Sequence, residues 1–197
     1  MQNLCIYCSS SNAISESFFK MANELAIQLT DNQYNLIYGG SNVGLMHEVA
    51  TTMLSKGAEV TGVIPQLIYD KGLGFEQVSK LIITPDMSER KKTMMELADA
   101  FITLPGGFGT LEEFFETLTL KQLQVHSKAI ILLNHDHFFD PLLQVFEQLY
   151  SFKFAKPDYK DYFYVADSVQ DAIRYLKNYS PPDFRDKWYW VGSDQFK

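Results

Sequence analysis

The side chains of this sequence best suited to chemistry fall in two short stretches, DMSERKK (residues 86–92) and LPGGFGTLEEFFE (residues 104–116). The first sets Arg90, Lys91 and Lys92 in what reads as the opening turn of a helix, where the positive end of the dipole disfavours cations by roughly 0.3–1 kcal/mol each. An anion shared with a neighbouring loop would compensate them, and Arg90 could grip it through two parallel hydrogen bonds. The plain alternative is a solvated basic face balanced by Glu89 and Glu96. The second stretch sets Gly106, Gly107 and Gly109 directly before a run of carboxylates. Such glycines let backbone N–H groups approach a phosphate at a helix N-terminus. Thr110 and Glu113 also fit a capping box, Thr110 as the cap and Glu113 reaching back. Capping accounts for one or two of the acids but not for the glycines before them. The sharper expectation is that backbone holds a phosphate while a carboxylate faces a reacting carbon a few ångströms away.

Other candidates are weaker. YGGSNVGLM (38–46) supplies Gly39 and Gly40 for a second close backbone approach, and Ser9 and Met87 lie at comparable strand-end positions. Neither glycine stretch has GxGxxG spacing, and no GK[ST] follows, so a P-loop is absent. His135 and His137 flank Asp136 in an HxH pattern, where hydrogen bonding to solvent is expected rather than a metal. His47 and His126 lack paired spacing. Cys5 and Cys8 have CxxC spacing, but residues three apart on a strand face opposite sides and no second pair completes a zinc site, so reduced, buried thiols are expected. Ser9, Ser10 and Ser11 have no identifiable base and no GxSxG elbow. No metal and no cofactor is expected.

The elements that must position these residues follow from the pattern of apolar side chains. LCIYCSS, NLIYGG, EVTGVIP, KLIIT, AFITLPGG, KAIILLN and YFYVAD are short runs, mostly apolar on both parities, as in strands covered on both faces. Helical spacing separates them over residues 15–30, 43–56, 88–98, 110–126, 140–152 and 167–179. Asp140 followed by proline reads as an N-cap, and DSVQ as a capping box with Asp167 in the cap role. The alternation predicts an α/β fold: a single Rossmann-like, doubly wound parallel sheet of about seven strands with helices on both faces, over residues 1–180. Ligands in such sheets bind outside the carboxyl ends of the strands, where these stretches fall. Residues 68–79 read as a loop long enough to act as a flap. Residues 181–197 read as an irregular tail whose Trp188, Tyr189 and Trp190 pack on the body or on a partner subunit.

With 197 residues, 46% hydrophobic and 21% charged, the composition is that of one globular domain. A net charge of −7 disfavours a nucleic acid polymer or an anionic membrane surface as partner but permits a small anionic ligand where cations gather. No apolar run is long enough for a membrane span and the first residues lack a secretory pattern, so a cytoplasmic location is expected.

YGGSNVGLM, GVIP, DMSERKK and LPGGFGTLEE, in this order, resemble the LOG (Lonely Guy) family of cytokinin riboside 5'-monophosphate phosphoribohydrolases, long labelled lysine decarboxylases. The resemblance runs from about residue 4 to 134, more weakly beyond. It implies hydrolysis of the N-glycosidic bond of a nucleoside 5'-monophosphate to free base and ribose 5-phosphate, with no cofactor. It also implies a homodimer with the pocket near the subunit interface. Carried over motif by motif, Glu113 is the catalytic carboxylate and Arg90 its partner; Gly106, Gly107, Gly109 and Thr110 hold the phosphate; Glu112, Lys91 and Thr119 line the site. Whether Glu113 stabilises the transition state or orients water, and whether Arg90 binds phosphate or assists the departing base, stays open. Two departures stand out: Asn42 is inserted in GGSNVGLM, and the flap lacks the glutamate-rich sequence of plant members, with Asp70 or Glu76 as substitutes. The competing reading is a non-catalytic carrier or sensor of a nucleotide-like ligand, resembling molybdenum-cofactor carriers. Decarboxylation of lysine is disfavoured because Lys121, Lys128 and the other lysines have no recognisable pyridoxal phosphate context.

Overall fold

Short apolar strands alternating with amphipathic helices give a parallel sheet, as the pattern predicts. The computed structural model of the chain describes residues 2–181. The packing expected of the tail and its tryptophans lies outside the described residues. The strands are β1 (Gln2–Tyr7), β2 (Tyr34–Tyr38), β3 (Val60–Pro65), β4 (Lys80–Thr84), β5 (Ala100–Thr103), β6 (Ala129–Leu133) and β7 (Tyr164–Ala166). They form one sheet in the order β4-β3-β2-β1-β5-β6-β7, with every neighbouring pair parallel. The chain winds outward from β1 to β4, then crosses back to β5 on the other side of β1. The crevice of such a sheet opens at that reversal, at the carboxyl ends of β1 and β5.

Helices α1 (Glu16–Asp31), α2 (Gly44–Ser55) and α7 (Val169–Asn178) cover one face, packing Leu25, Leu45, Met53 and Ala172 against Leu4, Ile6, Leu36 and Ile131. Helices α4 (Met87–Leu97), α5 (Phe108–Gln122) and α6 (Asp140–Ser151) cover the other, packing Met94, Phe114, Leu118 and Phe146 against Cys5, Ile37, Phe101 and Ile130. The two cysteines fall one in each layer, both fully buried and unbridged, and burial raises both thiol pKa values. No helix among the described residues is long and apolar enough to cross a membrane.

The structure differs from expectation at several ends. The cap of α7 is Ser168, whose side chain accepts from the Asp171 N–H; Asp167 stands one residue outside. Asp140 lies inside α6 and accepts from the Asn134 side chain at 2.7 Å instead of capping. Strand β4 is not covered on both faces: it is the sheet edge, and Ile83 is exposed. Residues 68–79 are not a free loop. Their first two residues end the one-turn helix α3 (Gln66–Tyr69), and the remainder is pinned at Gly74, which bridges Ser41. The inserted Asn42 supplies much of that pinning, its N–H donating to Leu73 O at 3.0 Å and its side chain to Gly72 O at 3.2 Å.

Candidate active site

Asp86 caps α4 by accepting from the Glu89 N–H at 2.8 Å. The helix therefore starts at Met87, so Arg90 is its fourth residue and Lys91 and Lys92 lie beyond the first turn, where the dipole penalty has faded. Arg90 turns inward and is buried. Its Nε donates to Val63 O at 3.4 Å, and its Nη2 lies over Gly39, where an added Cβ would come within 2.2 Å of it. Any side chain at this position, just after β2, would collide with the guanidinium where it now lies.

Glu113 meets Arg90 from the neighbouring helix. Thr110 does not cap α5; the N-cap is Gly107, with no side-chain cap, and Thr110 sits inside the first turn against Gly106. Glu113 is thereby free of the capping box and forms an ion pair with Arg90 Nη1, the two side chains only 5% and 6% exposed. Burial raises the Glu113 pKa, and the adjacent guanidinium offsets only part of that rise. Below Glu113, Tyr7 O–H donates to Thr117 Oγ1 at 3.0 Å and Thr117 Oγ1 donates to Glu113 O at 2.9 Å, which fixes the rotation of α5 against β1.

These groups form the floor of a cleft of about 660 Å³. Ser9, Gly39, Met87, Arg90, Gly107, Gly109, Thr110, Glu112 and Glu113 all line it, as the sequence places them. Beyond Gly107 and Gly109 a Cβ would meet nothing within 4 Å, so this backbone faces open space. Phe108, Gly109 and Thr110 are the first three residues of α5, whose N–H groups have no carbonyl within the helix to donate to and can receive an anion. Gly40 and Gly106 stand one layer behind, packed on Ile64 and Thr110. Lys91 lies to the side, bridging Glu112 and Glu116, and Thr119 is exposed farther along α5; within one chain neither lines the cleft. Asp70 and Glu76 do not line it either: they border a separate hollow behind the flap.

The sequence reading missed the wall opposite, made by Met46, Pro65, Ile68, Lys71 and Leu73. The signal was present, since Pro65 ends β3 and carboxyl ends of strands are where ligands bind. His135 and His137 each lie beside an aspartate, Asp136 at 3.4 Å and Asp140 at 3.2 Å. Among the described residues no group of three or more His, Cys, Asp or Glu is arranged to hold a metal.

With this geometry in place, the comparisons are specific. Residues 46–176 match the family described as "Possible lysine decarboxylase". The chain is 36% identical to the cytokinin riboside 5'-monophosphate phosphoribohydrolase LOG5 of Arabidopsis thaliana over 91% of this chain and 79% of that protein. It is equally identical to the LOG enzyme of Oryza sativa subsp. japonica, over 91% of this chain and 74% of that one. The chain belongs to the LOG family. Its fold is shared more widely: the molybdenum cofactor carrier protein of Chlamydomonas reinhardtii superposes with a TM-score of 0.67 at 21% identity, covering 89% of this chain and 96% of the carrier. At that identity the likeness concerns the fold alone, whereas the LOG relatives span nearly all of the described domain.

Proposed function

We propose that this protein hydrolyses the N-glycosidic bond of a purine nucleoside 5'-monophosphate, of cytokinin type or other, releasing the free base and ribose 5-phosphate. The observation that carries the reading is the buried Arg90–Glu113 pair on the floor of a cleft whose rim is an open, glycine-built helix N-terminus. A pure carrier of anions gains nothing from a buried carboxylate beside a phosphate. The names of the LOG relatives support the same reaction.

The N–H groups of Phe108, Gly109 and Thr110 receive the 5'-phosphate, which places the ribose over Glu113. As the C1'–N bond breaks, its electron pair leaves with the base and positive charge grows on the ribosyl ring. The Glu113 carboxylate lies in a water-poor site where a fixed charge stabilises that state strongly. Water adds to C1', and its proton balances the departing base. Arg90 favours the ionised form of Glu113 against the effect of burial and aims it. Leu67, Met87 and Phe108 are exposed apolar side chains on three elements around the cleft; they support a homodimer with the site near the interface, where Thr119 and Lys91 of α5 and α4 complete the surroundings. The reduced thiols fit a cytoplasmic location.

Incubation with a panel of nucleoside monophosphates, followed by chromatography of released base, tests the reaction. Glu113→Gln is expected to lower kcat by about 10²–10⁴-fold with nucleotide binding retained. Binding without release of any base by the unaltered protein would favour a carrier.

A further inference from the structure

The turn between β2 and α2 touches both the catalytic pair and the flap. Gly39 lies against the Arg90 guanidinium, while residues 40–42 hold the flap. Gly40 O accepts from Phe75 N–H at 2.9 Å, Ser41 bridges Gly74, and Asn42 N–H donates to Leu73 O at 3.0 Å. The Asn42 side chain adds two more bonds, from Nδ2 to Gly72 O at 3.2 Å and to Gly74 O at 3.4 Å. An amide nitrogen carries two N–H donors and both neighbours are carbonyls, so the side chain gives both donors to the flap. A serine here would supply one donor and an aspartate none. Behind this clasp Phe75 is buried, its ring against that of His47 at 4.8 Å.

The clasped segment forms one end of the cleft. Ile68 and Leu73, both half-buried, line it together with Met46 and the buried Pro65. Strands β5, β1, β2 and β3 are consecutive neighbours. At about 4.8 Å between strands, the end of β3, from which the flap rises, lies about 14 Å from the end of β5, which carries the glycine turn. Arg90 and Glu113 meet between them, Arg90 against Gly39. A nucleotide with its phosphate on the α5 N-terminus and C1' over Glu113 therefore directs its base to the remaining, apolar wall. Met46 on α2 and Pro65 at the end of β3 belong to the rigid body of the fold, whereas Ile68 and Leu73 sit on the flap and depend on what ties it down.

We propose that Asn42 is the positioning residue for the base: by clasping Gly72 and Gly74 it presets the flap half of the apolar wall, so that binding does not have to order it. The inference rests on the phosphoribohydrolase reading of the same cleft.

Ribose 5-phosphate shares the sugar and phosphate of the nucleotide but has no base, so it reports on the other end of the cleft alone. Calorimetry in the Glu113→Gln background, where turnover is slow, compares the affinities of N6-isopentenyladenosine 5'-monophosphate, AMP and ribose 5-phosphate with Asn42 retained, with Asn42→Ala and with Asn42→Asp. Asn23→Ala is the control, since Asn23 makes two comparable side-chain bonds, to Glu48 and Thr52, away from the cleft. Both Asn42 variants are expected to weaken both nucleotides about tenfold, the scale of one to two neutral hydrogen bonds, and to leave ribose 5-phosphate within about twofold. Amide exchange over residues 70–75 should quicken in both. Asn23→Ala should change none of the three affinities. Equal weakening of all three ligands by the Asn42 variants would mean a general distortion of the turn and overturn the proposal. Unchanged nucleotide affinity, unchanged flap exchange, or nucleotides that bind the Asn42 parent no tighter than ribose 5-phosphate would overturn it too. Base release by the unaltered protein is scored separately. The expected affinities without turnover remove the hydrolysis and keep the clasp; turnover with no loss of nucleotide affinity removes the clasp and keeps the hydrolysis.

Discussion

Glu113 and Arg90 each hold the other in a place neither would occupy alone. Removing one partner of a buried ion pair leaves a charge without compensation, so Arg90→Ala is expected to cost about 3–5 kcal/mol of folding stability by urea denaturation. Exposed pairs such as Lys20 with Glu16 should cost within about 1 kcal/mol under the same treatment. The pH profile carries a second signature. Because Glu113 must be ionised to stabilise the ribosyl cation and burial raises its pKa, activity is lost on acidification at a higher pH than a free glutamate would give. An acid limb of kcat at or below the ordinary glutamate range would contradict that role.

Between residue and fold, single glycines and short clasps decide how the elements meet. At Gly39 an added methyl strikes the tip of Arg90, a flexible group, so Gly39→Ala should leave the chain folded while displacing the guanidinium and lowering kcat by about 100-fold. At Gly44, with φ +63, the methyl strikes the backbone of Ser10 at 2.5 Å. Gly44→Ala should therefore show mainly in thermal unfolding, as a loss of about 1–3 kcal/mol. His126 clasps the end of α5 to β6, its Nε2–H donating to Thr117 O at 3.0 Å and its Nδ1 accepting from Lys128 N at 3.2 Å. Burial pushes its pKa down from 6.5 to about 4. The unfolded chain binds the proton more readily, so this contribution to stability is complete above about pH 6.5 and is lost as pH falls through about 4. His126→Gln should flatten the acid destabilisation in that window, on the order of 2 kcal/mol by pH 4. These details also mark where sequence reading fell short. TLEE looks the same whether Thr110 caps the helix or lies within it; the choice went to Gly107 because Arg90, distant in sequence, draws Glu113 inward. The pinning of the flap was equally hidden, since Asn42 reaches carbonyls about thirty residues away.

For the whole molecule, the seven strands and their parallel arrangement were legible because apolar runs on both parities arise when a sheet is covered on both sides. The cleft was legible on the side marked by glycines and charges and silent on the apolar flap side, whose residues resemble core until the fold exposes them. The exposed Leu67, Met87 and Phe108 lead to an expectation in solution. Light scattering should give twice the chain mass, and specific activity should fall on dilution into the monomer range. Activity unchanged in a strictly monomeric preparation would place the whole site in one chain.

The central strand has a practical consequence of its own. Cys5 lies within β1, which is flanked by strands on both edges and by helices above and below, whereas Cys8 follows the strand and borders the cleft. Cys5 is fully buried, so small breathing motions leave its sulfur covered. At Cys5 a thiol reagent in the buffer would thus react only with molecules that have opened throughout, making uptake at this one site an intrinsic clock for global unfolding that needs no engineered label.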